Sequence, residues 1–414
     1  MVFAICHPFR RITTLDVLGG LALLGLLIAQ AYGQLAGAQP ANPLTVAHSP
    51  AELPAQFMVQ LLVAGQFERM GSFLVGLGFY RCFQPAGLDG PRLARLAIDR
   101  IVRRQLLLVL GIGLGLSLLL GSADLLVGYG LLGLTLVYFR NQSVASLLGW
   151  MMGLSGLAIG IPCCLFLLHS AGVNAQTLTD SPIESLLLLF VQQGKFGEGI
   201  GWQPIREWVL SSESVSQGFS TVISYELMML GGLLAGKLGR LRRDLRLKVR
   251  LSLVELLVLP AALLFKGVRV LMALGLVVLP KQVVTYQPML LALSDFLGPL
   301  LLTGVYVLDV GVNVRLTPTG WASWLGRVGQ MSLSNYVFQS ILCRLLLDGF
   351  EFVVPGPIPV WARAGIVGGI FACQVVFSWV WGRRNWPGPL EWICCRWIYP
   401  RKGRLKSSIR TEQL

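Results

Sequence analysis

The chain has 414 residues, 54% of them hydrophobic and only 13% charged, and its mean hydropathy is +0.68. A water-soluble globule of this length cannot enclose so much apolar surface, so lipid is the solvent for most of it. The formal charge of +14 is carried by basic residues clustered between apolar runs rather than on one polar domain, which fits membrane orientation and excludes a nucleic-acid partner.

In chain order, Arg10 and Arg11 precede an apolar run with no convincing small-residue cleavage site, which reads as a first transmembrane helix rather than a signal peptide. Runs long enough to span lie at about 15–33, 57–80, 105–121, 123–139, 146–169, 216–238, 251–268, 287–309, 328–347 and 360–382. The expected fold is an all-α, polytopic transmembrane bundle of about ten spans in a single membrane domain over 1–414. Six basic residues fall in 81–104, six in 240–250, two in 310–327 and eight between Arg383 and Arg410, whereas 34–55 and 350–360 hold none. This alternation places both termini in the cytosol and the protein in the inner cell membrane.

The stretch 269–286 is apolar enough to span, but a further helix there would put the basic tail outside, so it reads as re-entrant or interfacial. The outer segment 34–55 is rich in Ala, Pro and Gln, and the outer segment 170–214 holds an apolar piece at about 186–191 suited to the membrane surface. In the basic cytosolic tail, 383–414, Trp386, Trp392, Trp397 and Tyr399 suit headgroup depth, and the arginines and lysines suit anionic lipid; the bilayer is the expected partner. The 48 glycines include pairs four apart, such as Gly149/Gly153 and Gly232/Gly236, which let helix backbones approach closely and imply no particular oligomer.

Ionisable groups inside spans are costly and are functional candidates by default; here these are Glu68, Arg69, Glu226, Glu255 and Asp295, with pairing across helices as the competing reading. Asp16 and Asp124 stand where helices begin, so each suits capping as well as chemistry. Of the three histidines, His7 and His48 lie outside the spans, and His169 closes the fifth span, where it is a candidate base or a cap. None of the eight cysteines forms a Cys-x-x-Cys pair or a Cys/His metal spacing, so no bound metal or cofactor is expected and the cysteines read as small packing residues. No Walker loop, dinucleotide fingerprint or zincin motif occurs.

Several segments together resemble one family. Leu15-Asp16-Val17-Leu18-Gly19-Gly20 resembles its opening, Gly65-Gln66-Phe67 through Phe79 its second helix, Asp124-Leu125-Leu126 through Gly133 its outer turn and fourth helix, and Gly231 to Gly236 its sixth. Gly326-Arg327-Val328-Gly329-Gln330-Met331-Ser332-Leu333-Ser334-Asn335-Tyr336, Gln339-Ser340 and Gly388-Pro389-Leu390-Glu391-Trp392 are similar to its two signature blocks. The family is that of the YeiB-like bacterial membrane proteins, domain of unknown function 418.

The resemblance implies membrane acyl transfer, with acyl-CoA as a cytosolic donor substrate and an envelope glycan or lipid-linked molecule as acceptor. Where the family carries arginine and asparagine on its first helix, this chain has Gly19 and Gln30; where it carries a histidine before the outer aspartate and a basic residue before Phe67, it has Leu116 and Gln66. Gly19 offers no cation and Gln30 cannot take a proton, so Arg69 is the candidate substitute cation. These readings together give Asp16, Gln30, Arg69, Asp124 and His169 as catalytic candidates and Asn335 and Gln339 as substrate-binding candidates. Asn335 and Gln339 also suit hydrogen bonding between helices. Two other functions stay open on the sequence: a carrier for a small or lipid-linked solute, and a non-catalytic membrane partner.

Overall fold

A computed structural model describes residues 14–37, 53–83, 92–120, 124–170, 214–239, 246–273, 286–316, 320–353, 359–384 and 386–398. All regular structure among them is α-helical. In chain order the helices are α1 (Thr14–Gly37), α2 (Leu53–Leu62), α3 (Gln66–Phe83), α4 (Arg92–Leu120), α5 (Leu125–Phe139), α6 (Val144–Ser170) and α7 (Ser214–Leu238). They continue as α8 (Arg246–Ala273), α9 (Gln287–Leu316), α10 (Gly320–Gln330), α11 (Ser332–Val353), α12 (Val360–Gly382) and α13 (Pro389–Ile398). Among the described residues, six helices are long and apolar enough to cross a membrane: Thr14–Tyr32, Ile98–Leu120, Val144–Ile161, Ser220–Leu238, Met289–Gly311 and Val360–Gly382. Leu125–Phe139 is a shorter apolar helix. The chain is a helical membrane protein.

The helices divide into central and peripheral ones. Over its apolar window α1 is 56% buried inside the protein, whereas α12 is 22% and α6 11% buried, their outer faces carrying Trp361, Val380, Met152 and Trp150. Such faces are stable only against hydrocarbon. The main core joins Leu23 of α1, Met70 and Phe79 of α3, Leu106 of α4, Leu136 of α5 and Leu230 of α7. A second core joins Leu27 of α1 to Cys343 and Leu347 of α11 and Ile370 of α12. The tightest pairings are α3 on α7, α8 on α9, α1 on α10 and α4 on α5. At the α1–α10 crossing the backbones touch: a Cβ on Gly329 would collide with the Asp16 carbonyl, and one on Gly20 with the Leu325 carbonyl.

Two spans expected to be continuous are interrupted. The run 57–80 is divided into α2 and α3 by a turn at 63–65, where Gly65 has φ +82°, a left-handed conformation that costs glycine nothing. The run 328–347 is divided at Met331 between α10 and α11. Apolar periodicity cannot report either break, because the side chains on both sides remain apolar. The stretch 269–286 also departs from expectation at its start: residues 269–273 continue α8, Tyr286 lies in a turn, and 274–285 fall outside the described residues. The segment 34–55 is described only where it joins α1 and α2, and 170–214 only at its two ends. Of the tail, 389–398 forms α13, packed on α11 and α4. Cys395 is disulfide-bonded, unlike the packing role expected of it, while Cys82, Cys163, Cys164, Cys343, Cys373 and Cys394 are in the thiol form.

Candidate functional site

The α2–α3 break frees several backbone carbonyls, and a bare carbonyl in a lipid interior costs several kcal/mol. Side chains from α3, α8 and α9 take them up. Gln66 Nε2 donates to Leu61 O (2.8 Å), Tyr306 OH to Leu62 O (3.1 Å), Lys266 Nζ to Ala64 O (2.7 Å) and Arg69 Nη1 to Gly65 O (2.8 Å). Thr303 Oγ1 lies 3.0 Å from Gln66 O and 2.6 Å from Pro299 O. Pro299 contributes in another way: it lacks an N–H, so the Asp295 carbonyl one turn earlier loses its helical partner. Arg69 Nη2 donates to that carbonyl at 3.3 Å.

The same place concentrates charge. Arg69 is 4% exposed and Lys266 6%, with Arg269 bound to Asp295 through Nε and Oδ1 at 2.7 Å. Arg69 Nε donates to Ser224 Oγ at 2.9 Å, and its guanidinium carbon sits 5.7 Å from the Tyr225 ring centre. Glu68 is held by the hydroxyl of Tyr225 on its carboxylate and by the hydroxyl of Tyr129 on its carbonyl. Three cations therefore meet two carboxylates at the N-terminus of α3, whose free amides add partial positive charge. Lys266 carries three donors, and among the described residues one is committed to Ala64 O. The arrangement suits an anionic group.

Around the second break the polar groups are mostly neutral amides whose donors are paired, with Gln374 Oε1 buried and unpartnered among the described residues. Asn335 Nδ2 donates to Val328 O (2.9 Å) and to Ser378 Oγ (3.0 Å). Gln374 Nε2 donates to Asn335 O (2.9 Å) and Gln339 Oε1 (2.9 Å), and Gln339 Nε2 to Leu23 O (3.3 Å). This ladder ties α1, α11 and α12 together. Glu391 of α13 completes the break by capping α11: it accepts from the backbone N–H of Leu333 (2.8 Å) and Ser334 (3.1 Å) and from the Ser334 hydroxyl.

The candidates from the sequence are thus dispersed. Arg69 lies in the charged cluster. Asp16 lies in the first turn of α1, inside the helix start rather than at it, with its carbonyl against Gly329. Gln30 donates to Ser340 Oγ at 3.0 Å. Asp124 is the N-cap of α5, accepting from Leu126 N (2.7 Å) and from the Tyr336 hydroxyl (3.2 Å). His169 lies near the end of α6, and its side chain is outside the described residues, as is that of Glu255. Asn335 and Gln339 stand together, 1% and 0% exposed, in the amide ladder. Gly19 faces the Gly329 backbone at ordinary contact distance, 3.5 Å for a Cβ placed there. Lys266 was absent from the sequence candidates; its signal was a lone lysine in the apolar run Ala261–Val270, by the rule that made Arg69 a candidate.

The profile of the family described as Protein of unknown function (DUF418) matches residues 235–401. The chain is similar to the uncharacterized protein YxaH of Bacillus subtilis (strain 168), 26% identical over 415 residues and 93% of each chain. No solved structure matches it significantly.

Proposed function

From a chain whose residues 235–401 belong to the DUF418 family, we infer a multi-pass membrane carrier for an anionic solute, small or lipid-linked, that is held at the α2–α3 break. The single observation behind this reading is the interrupted helix itself, with its freed carbonyls tied by Arg69 and Lys266. Broken helices whose N-terminal ends face a polar chamber are how carriers hold anions at membrane depth without a nucleophile or a base. In this reading the chain crosses the inner cell membrane about ten times, with both termini in the cytosol, and reporter fusions after Gly37 and after Gly382 test that orientation.

Acyl transfer is the second reading. The same cations would hold the phosphates of an acyl-CoA donor, and the acceptor would be an envelope glycan or lipid-linked molecule. It ranks second because Gln30 is bonded to Ser340 and Asp124 caps α5, neither with a hydrogen bond to Arg69.

Calorimetry on the protein in nanodiscs discriminates the two. Octyl phosphate binds the native chain, and Arg69→Gln and Lys266→Gln each weaken it about tenfold or more, the loss of one charged hydrogen bond. Absence of binding, or equal binding by both variants, ends the carrier reading. Release of free CoA from octanoyl-CoA by the native chain, lost in Arg69→Gln, promotes the second.

A further inference from the structure

Glu226 lies on α7, next to the two residues that hold the charged cluster, and has no part in that cluster itself. It is 8% exposed, and its Oε2 is buried with no hydrogen-bond partner. Its Oε1 meets Thr135 of α5, whose Oγ1 stands 2.6 Å away and also 2.6 Å from Leu132 O one turn back on its own helix. A threonine hydroxyl has one proton. Two short oxygen–oxygen contacts share that one proton unless the carboxyl brings a second, and Leu132 O can supply none. The count closes when Glu226 is a neutral acid: its proton lies between Oε1 and Thr135 Oγ1, and the threonine proton lies on Leu132 O. Neutrality also removes the cost of an ionised carboxylate with one bare oxygen in an apolar interior.

The surroundings offer Glu226 no counter-charge. Among the described residues α6 brings no acidic or basic side chain over Val144–Ile161. Of the charged groups of α3, Glu68 and Arg69 are held by Tyr225 and Ser224, and Arg81 stands in its last turn. Asp295 of α9 is paired with Arg269, and Tyr129 of α5 bonds the Glu68 carbonyl. Lys237, further along α7, donates to Arg140 O (3.0 Å) and Gln142 O (2.5 Å). Thr135 is itself exposed on the outer face of α5 and stands about 7.5 Å of helix rise from Arg140.

We propose that Glu226, with Thr135, is a resident proton-binding site whose occupancy is linked through α7 to anion binding at the α2–α3 break. The link runs along three consecutive residues: Ser224 holds Arg69, Tyr225 holds Glu68, and Glu226 holds the proton. Loss of the proton puts a negative charge on the helix that holds the cations, so anion and proton bind together. The proton site stands on its own geometry; the link rests on the carrier reading above.

Infrared difference spectra of the full-length protein in nanodiscs, between acidic and alkaline buffer, test the site. The native chain shows the carbonyl stretch of a protonated carboxylic acid at neutral pH; Glu226→Gln removes that band, and Thr135→Val, which keeps the carboxyl, moves it. Identical bands in the native chain and both variants overturn the proton site. Octyl phosphate titrated into the same nanodiscs tests the link: its affinity for the native chain falls about tenfold from acidic to alkaline buffer, while Glu226→Gln binds it equally in both. An unchanged pH dependence in Glu226→Gln overturns the link. A native acid band together with no phosphate binding at either pH overturns the carrier reading and the link, and leaves the proton site standing.

Discussion

Two helix interruptions abut α1, and they are finished in different chemistries. At the α2–α3 break the freed carbonyls are taken by Arg69, Lys266, Gln66 and Tyr306, so ions carry much of the closure. At the α10–α11 break closure is by neutral amides, Asn335, Gln339 and Gln374, and by one carboxylate on a helix N-terminus, Glu391. The amide ladder has directional partners for its donors, one bare carbonyl oxygen at Gln374 and no net charge to offer a ligand. The ionic cluster has charge of one sign in excess and donors beyond those the backbone uses. Both breaks solve the same backbone problem, and the first is also equipped to bind.

The largest effect expected from disturbing this contrast is at Arg69. Arg69→Met leaves the Gly65 and Asp295 carbonyls and the Ser224 hydroxyl without their donor and lowers stability by about 3 kcal/mol, read as a lower melting temperature in nanodiscs. An unchanged melt would mean that water completes the break and that the ionic closure is incidental. Next comes Gly329→Val, which drives a side chain into the Asp16 carbonyl and costs about 1–3 kcal/mol by overpacking. Gly153→Val on α6, where a Cβ meets nothing within 4 Å, changes the melt by no more than about 0.5 kcal/mol. Equal costs at the two glycines would contradict the close crossing of α1 and α10. Gln374→Leu removes two donations from the amide ladder and costs about 1 kcal/mol, with octyl phosphate affinity unchanged; a loss of affinity would erase the distinction between the breaks.

The smallest effect is a pH dependence at Glu391. Burial holds its carboxyl above the ordinary value, against the hydrogen bonds from Ser334 and Leu333 that favour the charged form. The folded chain therefore binds this proton more tightly than the unfolded one. Stability is fullest below the ordinary carboxylate value and declines as pH rises through the window up to the raised value. Glu391→Gln flattens that slope, and a slope that persists in the variant assigns it elsewhere.

The helical membrane architecture was legible because apolar length and loop charge are properties of the chain alone. The breaks were not, although each carried a hint: Gly65 stands before Gln66, Glu68 and Arg69, and Gly329 shortly before Ser332 and Asn335. What makes a break tolerable is a partner far along the chain, Lys266 for Ala64 or Glu391 for Leu333, and no local pattern reports it. For the same reason Asp124 reads correctly as a cap from its neighbours, whereas the partners of Gln30 and Gln339, Ser340 and Leu23, lie too far along the chain to be read from it. Arg69 was legible as a cost that needed explaining. Lys266 obeyed the same rule near the end of the run 251–268, in which only Glu255 was singled out.

The Glu391 cap also orders assembly in time. The acceptor stands 58 residues beyond the Leu333 amide it satisfies, and a ribosome adding about 5–20 residues each second reaches it roughly 3 to 12 s later. For that interval α11 has been made while its first turn lacks its cap. A nascent chain stopped before Pro389 would hold every apolar helix yet leave that turn open, so it is the arrival of α13 that closes the bundle and separates a finished molecule from one still open to quality-control proteases.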